Sequence, residues 1–156
     1  MRGKQAPKRE IVGDPKYNDL EIAKLINYLM KNGKKTTAER IVYDCFDILK
    51  EETKQEPRHI FNKGLKMICP LVEVRSRRVG GSNYQVPHQV RGDRRFTLGC
   101  RWLLTAARAR KGRSMAEKLA AEILDSIKGE SASVKKKLDV HRMAEANKAF
   151  AHFARH

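Results

Sequence analysis

The chain has 156 residues, of which 34 are Lys or Arg and 18 are Asp or Glu, giving a formal net charge of +16. Such a charge destabilises a compact protein through self-repulsion and indicates a polyanionic partner, either nucleic acid or an anionic membrane. No apolar run approaches the roughly 18 residues that cross a bilayer, and no signal for export is found. Hydrophobic residues make up 40% of the chain, which is sufficient for a core. We therefore predict one cytoplasmic domain over residues 1–156.

The first predicted segment is an arm without its own core. Residues 1–16 mix Lys, Arg, Gly and Pro with one apolar pair, which predicts a flexible basic arm. Helical periodicity begins at Leu20, and Asn32 with Gly33 is typical of a helix C-terminus. The inward face of this first helix is predicted to contain Ile22, Leu25, Ile26, Leu29 and Met30.

Two further helices are predicted before the middle of the chain. Thr36 and Glu39 have the spacing of a capping box and predict the start of the second helix. Pro57 favours the first turn of a third helix, which Pro70 ends. The inward residues are predicted to be Ile41, Val42, Cys45, Ile48 and Leu49 in the second helix, and Ile60, Phe61, Leu65 and Ile68 in the third.

Residues 72–91 have the pattern of a β-hairpin. Two short strands flank Gly80 and Gly81, a dipeptide suited to a tight turn with positive φ. Several arginines lie on these strands, although a lone two-stranded hairpin is only marginally stable in water. An arginine-bearing hairpin is favoured where a polyanion stabilises it, which indicates nucleic acid.

Tyr84, near the tip of this hairpin, has two interpretations. Its ring packs across the strand pair against Val74 or Val79, or it stacks on a base or ribose. The residues alone leave both alternatives open.

A fourth helix is predicted after the hairpin. Asp93 is a suitable N-cap, and the apolar pattern continues to about Lys111, where Gly112 breaks it. Gly99 lies inside this helix and is expected to weaken it by up to about 1 kcal/mol relative to alanine. The predicted inward residues are Phe96, Trp102, Leu103 and Ala106.

The remaining chain predicts two more helices. Ser114 and Glu117 repeat the capping-box spacing and open a fifth helix, which Gly129 ends. A sixth helix is predicted over residues 132–150. The predicted fold class is therefore mainly α: a single bundle of about six helices with one protruding two-stranded antiparallel β-hairpin.

The excess positive charge is concentrated in one part of the sequence. Residues 17–72 contain ten basic and eight acidic residues, whereas residues 75–113 contain eleven basic residues and one acidic residue, Asp93. Three arginines of the fourth helix recur every seven residues and so lie along one side of it. Guanidinium groups bind phosphate oxygens in pairs and stack on bases. We predict one continuous cationic surface from Arg75, Arg77, Arg78, Arg91, Arg94, Arg95, Arg101, Arg108 and Arg113, extended by Lys34 and Lys35 of the first inter-helix loop and by Lys135 and Lys136 of the last helix.

Motifs for catalysis or metal binding are not found. The five histidines lack metal-binding spacing, and neither a G-x-S-x-G elbow nor a complete phosphate-binding loop is present. Cys45 and Cys100 fall within apolar helical runs and are predicted to be buried thiols. We therefore predict no enzymatic activity, no cofactor and no metal. A DNA-binding regulator remains the alternative, since a helix preceded by a basic hairpin could enter a major groove.

Three segments together resemble a known family. Residues 33–43, 72–87 and 140–152 are similar, in the same order along the chain, to the bacterial form of the seventh protein of the small ribosomal subunit. The resemblance implies a helical fold with an extended hairpin and direct binding to the 3′ major domain of small-subunit ribosomal RNA. It also implies nucleation of subunit-head assembly, and a position at the tRNA exit site near messenger RNA and small-subunit protein eleven.

The same resemblance implies roles for individual residues. Ribosomal RNA would be met by the arm (Arg2, Lys4, Lys8 and Arg9), by Lys34 and Lys35, by the arginines of the first hairpin strand and by those of the fourth helix. Exit-site tRNA and messenger RNA would face Gly81, Ser82, Asn83 and Tyr84 at the hairpin tip, and Arg142 on the last helix.

Overall fold

In the computed structural model, which describes residues 3, 6–7 and 10–155, the chain forms two compact units, residues 1–40 and 41–156. The mainly helical fold with one antiparallel hairpin agrees with the sequence prediction. The elements are α1 (Leu20–Leu29), α2 (Lys35–Thr53), α3 (Pro57–Ile68), β1 (Val72–Val79), β2 (Ser82–Gln89), α4 (Gly92–Ala109), α5 (Met115–Lys128), α6 (Ala132–Ala146) and a 3₁₀ helix, the C-terminal segment (Lys148–Arg155).

The first unit begins with a turn held by side-chain carboxylates. Asp14 accepts hydrogen bonds from the backbone N–H groups of Lys16 and Tyr17, both at 3.1 Å. Asp19 is the N-cap of α1, because its carboxylate accepts the backbone N–H of Glu21 at 2.8 Å. These bonds satisfy donors that a helix start otherwise leaves unpaired.

The helix α1 starts where the periodicity predicted. It ends at Leu29, before the predicted stop, and the chain then turns at Asn32 and Gly33 with φ of 53° and 73°. Leu20, the first helical residue, is 54% exposed and lies off the buried stripe. The buried face contains Ile22, Ala23, Leu25, Ile26 and Leu29.

One of the two predicted capping boxes is wrong. The helix α2 begins at Lys35, so Thr36 lies inside the first turn and is not its N-cap. The second capping box is confirmed at α5. The Ser114 hydroxyl accepts the backbone N–H of Glu117 at 3.4 Å and donates to the Glu117 carboxylate at 2.7 Å.

The helix α4 starts two residues earlier than an N-cap at Asp93 predicts, and it also ends earlier. Its N-cap is Arg91, whereas Asp93 lies in the first turn, where its negative charge suits the positive end of the helix dipole. The last helical residue is Ala109, two residues before the predicted end. Trp102 is only partly buried, while Leu103 and neighbouring small residues form the packed face.

Two glycines allow helices of the second unit to approach closely. A Cβ atom on Gly99 of α4 would lie 2.7 Å from the Sγ atom of Cys69, just beyond α3. A Cβ atom on Gly64 of α3 would lie 3.1 Å from a side-chain methyl of Ile123 on α5. Glycine at position 99 therefore permits close packing that any side chain would disturb, beside the helix-weakening effect predicted for it.

The hairpin forms around the predicted turn at Gly80 and Gly81. The strands β1 and β2 pair antiparallel from Val72 opposite Gln89 to Val79 opposite Ser82. Gly80 and Gly81 have φ of 56° and 91°, as a two-residue primed turn requires. Both strands contact later elements of the second unit: α6 packs against β1, and the C-terminal segment packs against β2.

The end of the chain differs from the predicted single helix. The helix α6 ends at Ala146, four residues before the predicted end, and Asn147 is its C-cap. The C-terminal segment then continues as a 3₁₀ helix of 8 residues. The aromatic rings of this segment, Phe150 and Phe153, pack against Tyr84 of the hairpin. The predicted straight helix did not include this contact.

Candidate nucleic-acid interface

The arginines of β1 lie on both faces of the hairpin. Arg75 and Arg77 share one face because they are two residues apart, and Arg78 projects from the other. Arg75 and Arg78 are exposed, whereas Arg77 is partly buried. The prediction that all three lie on one side is therefore wrong at Arg78. A two-stranded hairpin can still present both faces to a folded polyanion.

A buried carboxylate joins the hairpin to α4. The side chain of Glu73 is 9% exposed and accepts hydrogen bonds from Nε and Nη2 of Arg94, at 3.2 and 3.0 Å. The Glu73 carboxylate also accepts a hydrogen bond from Nε of Arg75 at 2.6 Å. Burial acts to raise the pKa of the Glu73 carboxyl, but the hydrogen bonds and charges of Arg94 and Arg75 outweigh burial and hold it below its usual value. The carboxylate thus stays ionised beside two predicted RNA-binding arginines.

Sequence reasoning missed Glu73, although a signal was present. The segment with a large charge excess was counted from residue 75, so the carboxylate two positions earlier was left out. A single acidic residue two positions before an arginine on a strand lies on the same face as that arginine. The pairing with Arg94 depends on how α4 follows β2, and no local pattern contains that information.

The ridge predicted on α4 is consistent with the structure. Arg94, Arg101 and Arg108 all lie on one unbroken helix and are exposed. Seven residues of α-helix advance about 10 Å and return nearly to the same side, so the three guanidinium groups follow the helix axis. The Arg94 end of this ridge is tied to the hairpin through Glu73.

Two further arginines lie at the base of the hairpin. Arg91 is exposed and donates to the side-chain oxygen of Gln89 at 2.9 Å. Arg95 is partly buried, and its Nε has no hydrogen-bond partner among the described residues. Both arginines line a cavity of about 480 Å³ together with Gly92, the first residue of α4. A phosphate oxygen would satisfy the buried Nε of Arg95, because guanidinium N–H groups pair well with phosphate.

One arginine in the charged segment has a structural role instead. Arg110 donates from Nε to the carboxylate of Glu122 at 2.8 Å and from Nη2 to Asp125. Glu122 is fully buried and also accepts the backbone N–H and the hydroxyl of Ser133 at 3.1 and 2.8 Å. Burial acts to lower the pKa of Arg110, but its bonds to Asp125 and Glu122 outweigh burial and raise it. This guanidinium anchors α4 to α5, and the sequence count of free positive charge included it wrongly.

The lysines of the predicted surface are divided between the two units. Lys34 and Lys35 lie in the first unit and are exposed, with Lys35 at 3.8 Å from the Glu39 carboxylate. Lys35 was predicted to lie in the first inter-helix loop, but it is the first residue of α2. In the second unit, Lys135 and Lys136 are exposed at the start of α6.

The remaining predicted residues are placed as follows. Arg113 is exposed in the connection between α4 and α5. Arg142 is exposed on α6, at 3.7 Å from the Asp139 carboxylate. The arm residues Arg2, Lys4, Lys8 and Arg9 lie outside the described residues.

The hairpin tip combines exposed and covered residues. Gly81, Ser82 and Asn83 are exposed, whereas Tyr84 is partly buried. The Tyr84 ring packs against two phenylalanines of the C-terminal segment, an arrangement the sequence did not indicate. Packing against Val74 was wrong, because Val74 lies on the opposite face of β1.

Three findings on the described residues concern metal binding, the cysteines and membrane insertion. Among these residues, no group of three or more His, Cys, Asp or Glu side chains could hold a metal ion. Cys45, Cys69 and Cys100 are buried and form no disulfide among the described residues, and burial raises the pKa of Cys45. None of the described helices has the length and apolar content needed to cross a membrane.

Comparison with protein families identifies the class to which this fold and basic surface belong, the ribosomal proteins. The matching family model is described as Ribosomal protein S7p/S5e and covers residues 1–148. The chain belongs to this family, as the three sequence segments indicated, and RNA binding and a role in translation follow from that membership.

Curated relatives are similar in sequence to this chain over nearly its whole length. It is 55% identical over 147 residues to small ribosomal subunit protein uS7 of Caldanaerobacter subterraneus subsp. tengcongensis, covering 94% of each chain. It is 56% identical over 146 residues to the protein of the same name from Finegoldia magna, again covering 94% of each. The relative of that name from Marinobacter nauticus is 55% identical over 152 residues, covering 97% of each chain.

Proposed function

We propose that the chain is a structural constituent of the small ribosomal subunit that binds the 3′ major domain of its ribosomal RNA and nucleates assembly of the subunit head. The names of the curated relatives support the placement in this subunit. The observation that carries the proposal is the arginine array of β1 and α4, whose two parts are joined through Glu73. Residues 1–156 would act as one RNA-binding domain, with an arm (1–16) and a hairpin (72–91).

The array suits recognition of folded RNA by shape. Double-stranded RNA exposes phosphates and 2′-hydroxyls more readily than base edges, so rigidly spaced cations read its form. A guanidinium has five N–H donors, so Arg94 keeps donors for phosphate after giving two to Glu73. The Glu73 carboxylate would therefore fix the orientation of Arg94 and Arg75 while leaving each guanidinium able to bind a phosphate oxygen.

The hairpin tip and α6 are proposed to face other RNAs. Exit-site tRNA and messenger RNA would contact residues 81–84 and Arg142, and small-subunit protein eleven would be the neighbouring protein. The exposure of Gly81, Ser82, Asn83 and Arg142 supports this part of the proposal. The proposed location is the ribosome in the cytoplasm. Since the proposed role is structural, we expect no enzymatic turnover.

Binding to a transcript of the 3′ major domain tests the proposal. If six to ten phosphates are engaged, affinity should fall by about 10³ to 10⁵ between roughly 50 and 200 mM salt by the duplex-DNA estimate, with a shallower slope on folded RNA. Excess duplex DNA should not displace the protein. Displacement by duplex DNA would favour the DNA-binding alternative, whereas a weak salt response would contradict binding through phosphate contacts to either nucleic acid.

Footprinting on full-length small-subunit RNA locates the site. Protection is expected within the 3′ major domain, and the same pattern should form when the protein is added to the isolated domain. Protection confined to another domain would overturn the proposed site while leaving RNA binding intact.

A further inference from the structure

The C-terminal segment covers an aromatic side chain of the hairpin. Ring centroids of Phe150 and Phe153 lie 5.1 and 5.3 Å from that of Tyr84. The two phenylalanine rings are nearly parallel to each other, at 16° and 6.3 Å. Distances in this range are those of attractive aromatic pairs. Tyr84 therefore already has ring partners of the kind that a nucleobase would provide.

A second contact involves the arginine directly opposite Tyr84 in the hairpin register. Arg77 pairs with Tyr84 across the strands, and its Nη1 donates to the backbone carbonyl oxygen of Phe153 at 2.5 Å. The Phe153 carbonyl thus takes the Nη1 donor, one of the five N–H donors of this guanidinium, at a position where a phosphate oxygen would otherwise bind. On one hairpin face, the segment supplies both an aromatic ring and an oxygen.

The segment itself is weakly built. Runs of 3₁₀ helix longer than three or four residues are uncommon because their hydrogen-bond geometry is poor, and this run has 8 residues. Lys148, Ala149, Ala151 and His152 are exposed, and the two phenylalanines are only partly buried. Segments with few buried contacts open at low free energy.

We propose that the C-terminal segment is an internal competitor for single-stranded RNA at the hairpin face formed by Arg77 and Tyr84. In the closed form seen here, Phe150, Phe153 and the Phe153 carbonyl occupy the positions of a stacked base and a phosphate oxygen. Opening of the segment exposes the face to an RNA base and its phosphate. The inference rests on the proposed function, because it assigns a regulated RNA contact to the same hairpin.

Competition of this kind lowers the apparent affinity for single strands. The measured dissociation constant equals the intrinsic constant divided by the fraction of open molecules. The interaction free energy of one aromatic pair corresponds to a change of about 2- to 12-fold in the equilibrium constant between the closed and open forms. Removing the two rings should therefore tighten binding of a single-stranded RNA by about tenfold or more.

The test measures binding of a short fluorescein-labelled oligouridylate by fluorescence anisotropy. The Phe150→Ala/Phe153→Ala double variant is expected to bind about tenfold more tightly than the unmodified chain. Ala149→Ser, on the exposed side of the same segment, is the matched control and should leave affinity unchanged. Adding Tyr84→Ala to the double variant should abolish the gain, because the base then loses its stacking partner.

Unchanged affinity in the double variant, or a gain that survives Tyr84→Ala, would overturn the inference. A chain ending at Asn147 provides a second variant, and it should show the same gain. NMR on the unmodified protein gives an independent readout, since contacts between the Tyr84 and Phe153 rings should vanish on saturation with oligouridylate. Their persistence in the complex would also overturn the inference.

A second binding measurement tests the proposed function separately from the competition. Binding of the unmodified chain to the 3′ major domain transcript is measured in the same buffer. Loss of that binding would contradict the proposed function, whereas intact binding with no effect of the segment variants would contradict the competition alone.

Discussion

The carboxylate of Glu73 accepts two hydrogen bonds from the guanidinium of Arg94, at 3.2 and 3.0 Å, across the junction between the hairpin and α4. A two-stranded hairpin is only marginally stable alone, so such a contact helps to fix its direction. The same carboxylate also binds Arg75 on β1. One buried acidic residue thus orders two arginines of the proposed RNA-binding surface.

Replacing Glu73 with glutamine should weaken this junction. We expect the free energy of unfolding to fall by roughly 1 to 2 kcal/mol, a modest value because both arginines are about half exposed and screened by water. The pKa of Glu73 is lowered from 4.5, so its contribution is present above that pH and is lost as pH falls through the folded-state value. Urea unfolding at neutral and acidic pH measures both effects. Glu130→Gln, at an exposed position, is the control, and an equal loss there would contradict the assignment.

Replacing Arg110 with alanine should be more damaging to the fold. It would leave the fully buried Glu122 carboxylate without its cationic partner. Breaking a buried pair costs about 3 to 5 kcal/mol, and the partial exposure of Arg110 reduces our expectation to roughly 2 to 3 kcal/mol. Thermal unfolding followed by circular dichroism gives the measurement. A variant as stable as the unmodified chain would show that Glu122 is satisfied by its serine partners alone.

Replacing Arg78 or Arg101 with alanine should weaken RNA binding while leaving the stability of the fold nearly unchanged. Both side chains are exposed, so the melting temperature should change little. Binding to the 3′ major domain transcript should weaken, and the slope of log affinity against log salt should become shallower by about one counterion. Lys63→Ala, an exposed charge on α3, is the matched control and should retain affinity. A large fall in melting temperature would mean that these arginines support the fold.

Replacing Gly99 with alanine should destabilise the protein even though alanine favours helices. The added Cβ would lie 2.7 Å from Sγ of Cys69, and overpacking of this kind costs about 1 to 3 kcal/mol. The gain in helix propensity is at most about 1 kcal/mol, so a net loss is expected. Chemical denaturation measures the difference, with Thr105→Ala at an exposed site of α4 as the control. A more stable Gly99→Ala variant would show that α3 can move aside.

Protonation of His141 should reduce stability. Its Nε2 accepts the backbone N–H of Leu71 at 3.2 Å, so only the neutral ring can make this bond. Burial, and then the charge of Lys137, lower its pKa from 6.5, so the unfolded chain binds the proton more readily. Stability should therefore fall as pH drops through about 6.5 toward the folded-state value. Unfolding free energies of the unmodified chain and His141→Gln between neutral and mildly acidic pH should differ in slope, and parallel curves would contradict this role.

The sequence predicted those features that depend on neighbouring residues. Pro57 marks the start of α3, Ser114 caps α5, and Gly129 ends it in a left-handed conformation with φ of 86°. The glycine pair of the hairpin likewise defines its turn and register. Thr36 shows the limit of this reasoning. Thr36 and Glu39 have the same capping-box spacing, but α2 already begins at Lys35, so Thr36 does not cap it.

The site was predicted less completely than the fold. Arginine-rich segments were recognisable from composition, and the seven-residue spacing on α4 placed three of them on one side. Their partners were not recognisable, because Glu73 meets Arg94, and Arg110 meets Glu122, only after α4 packs beside the hairpin and α5. Counting charges therefore overstated how many guanidinium groups are free to bind phosphate.

By itself the sequence determined the helical periodicity, the hairpin turn, the positive charge and the family, because each is written in residue types at short spacing. Only the tertiary structure decided which arginines pair with carboxylates and which face of the hairpin the C-terminal segment covers. Tyr84 and Phe153 are 69 positions apart in the chain, and their ring contact exists only because α6 ends at Ala146 and the segment turns toward β2. Contacts between distant residues depend on how packed helices direct the chain, and no local pattern specifies that direction.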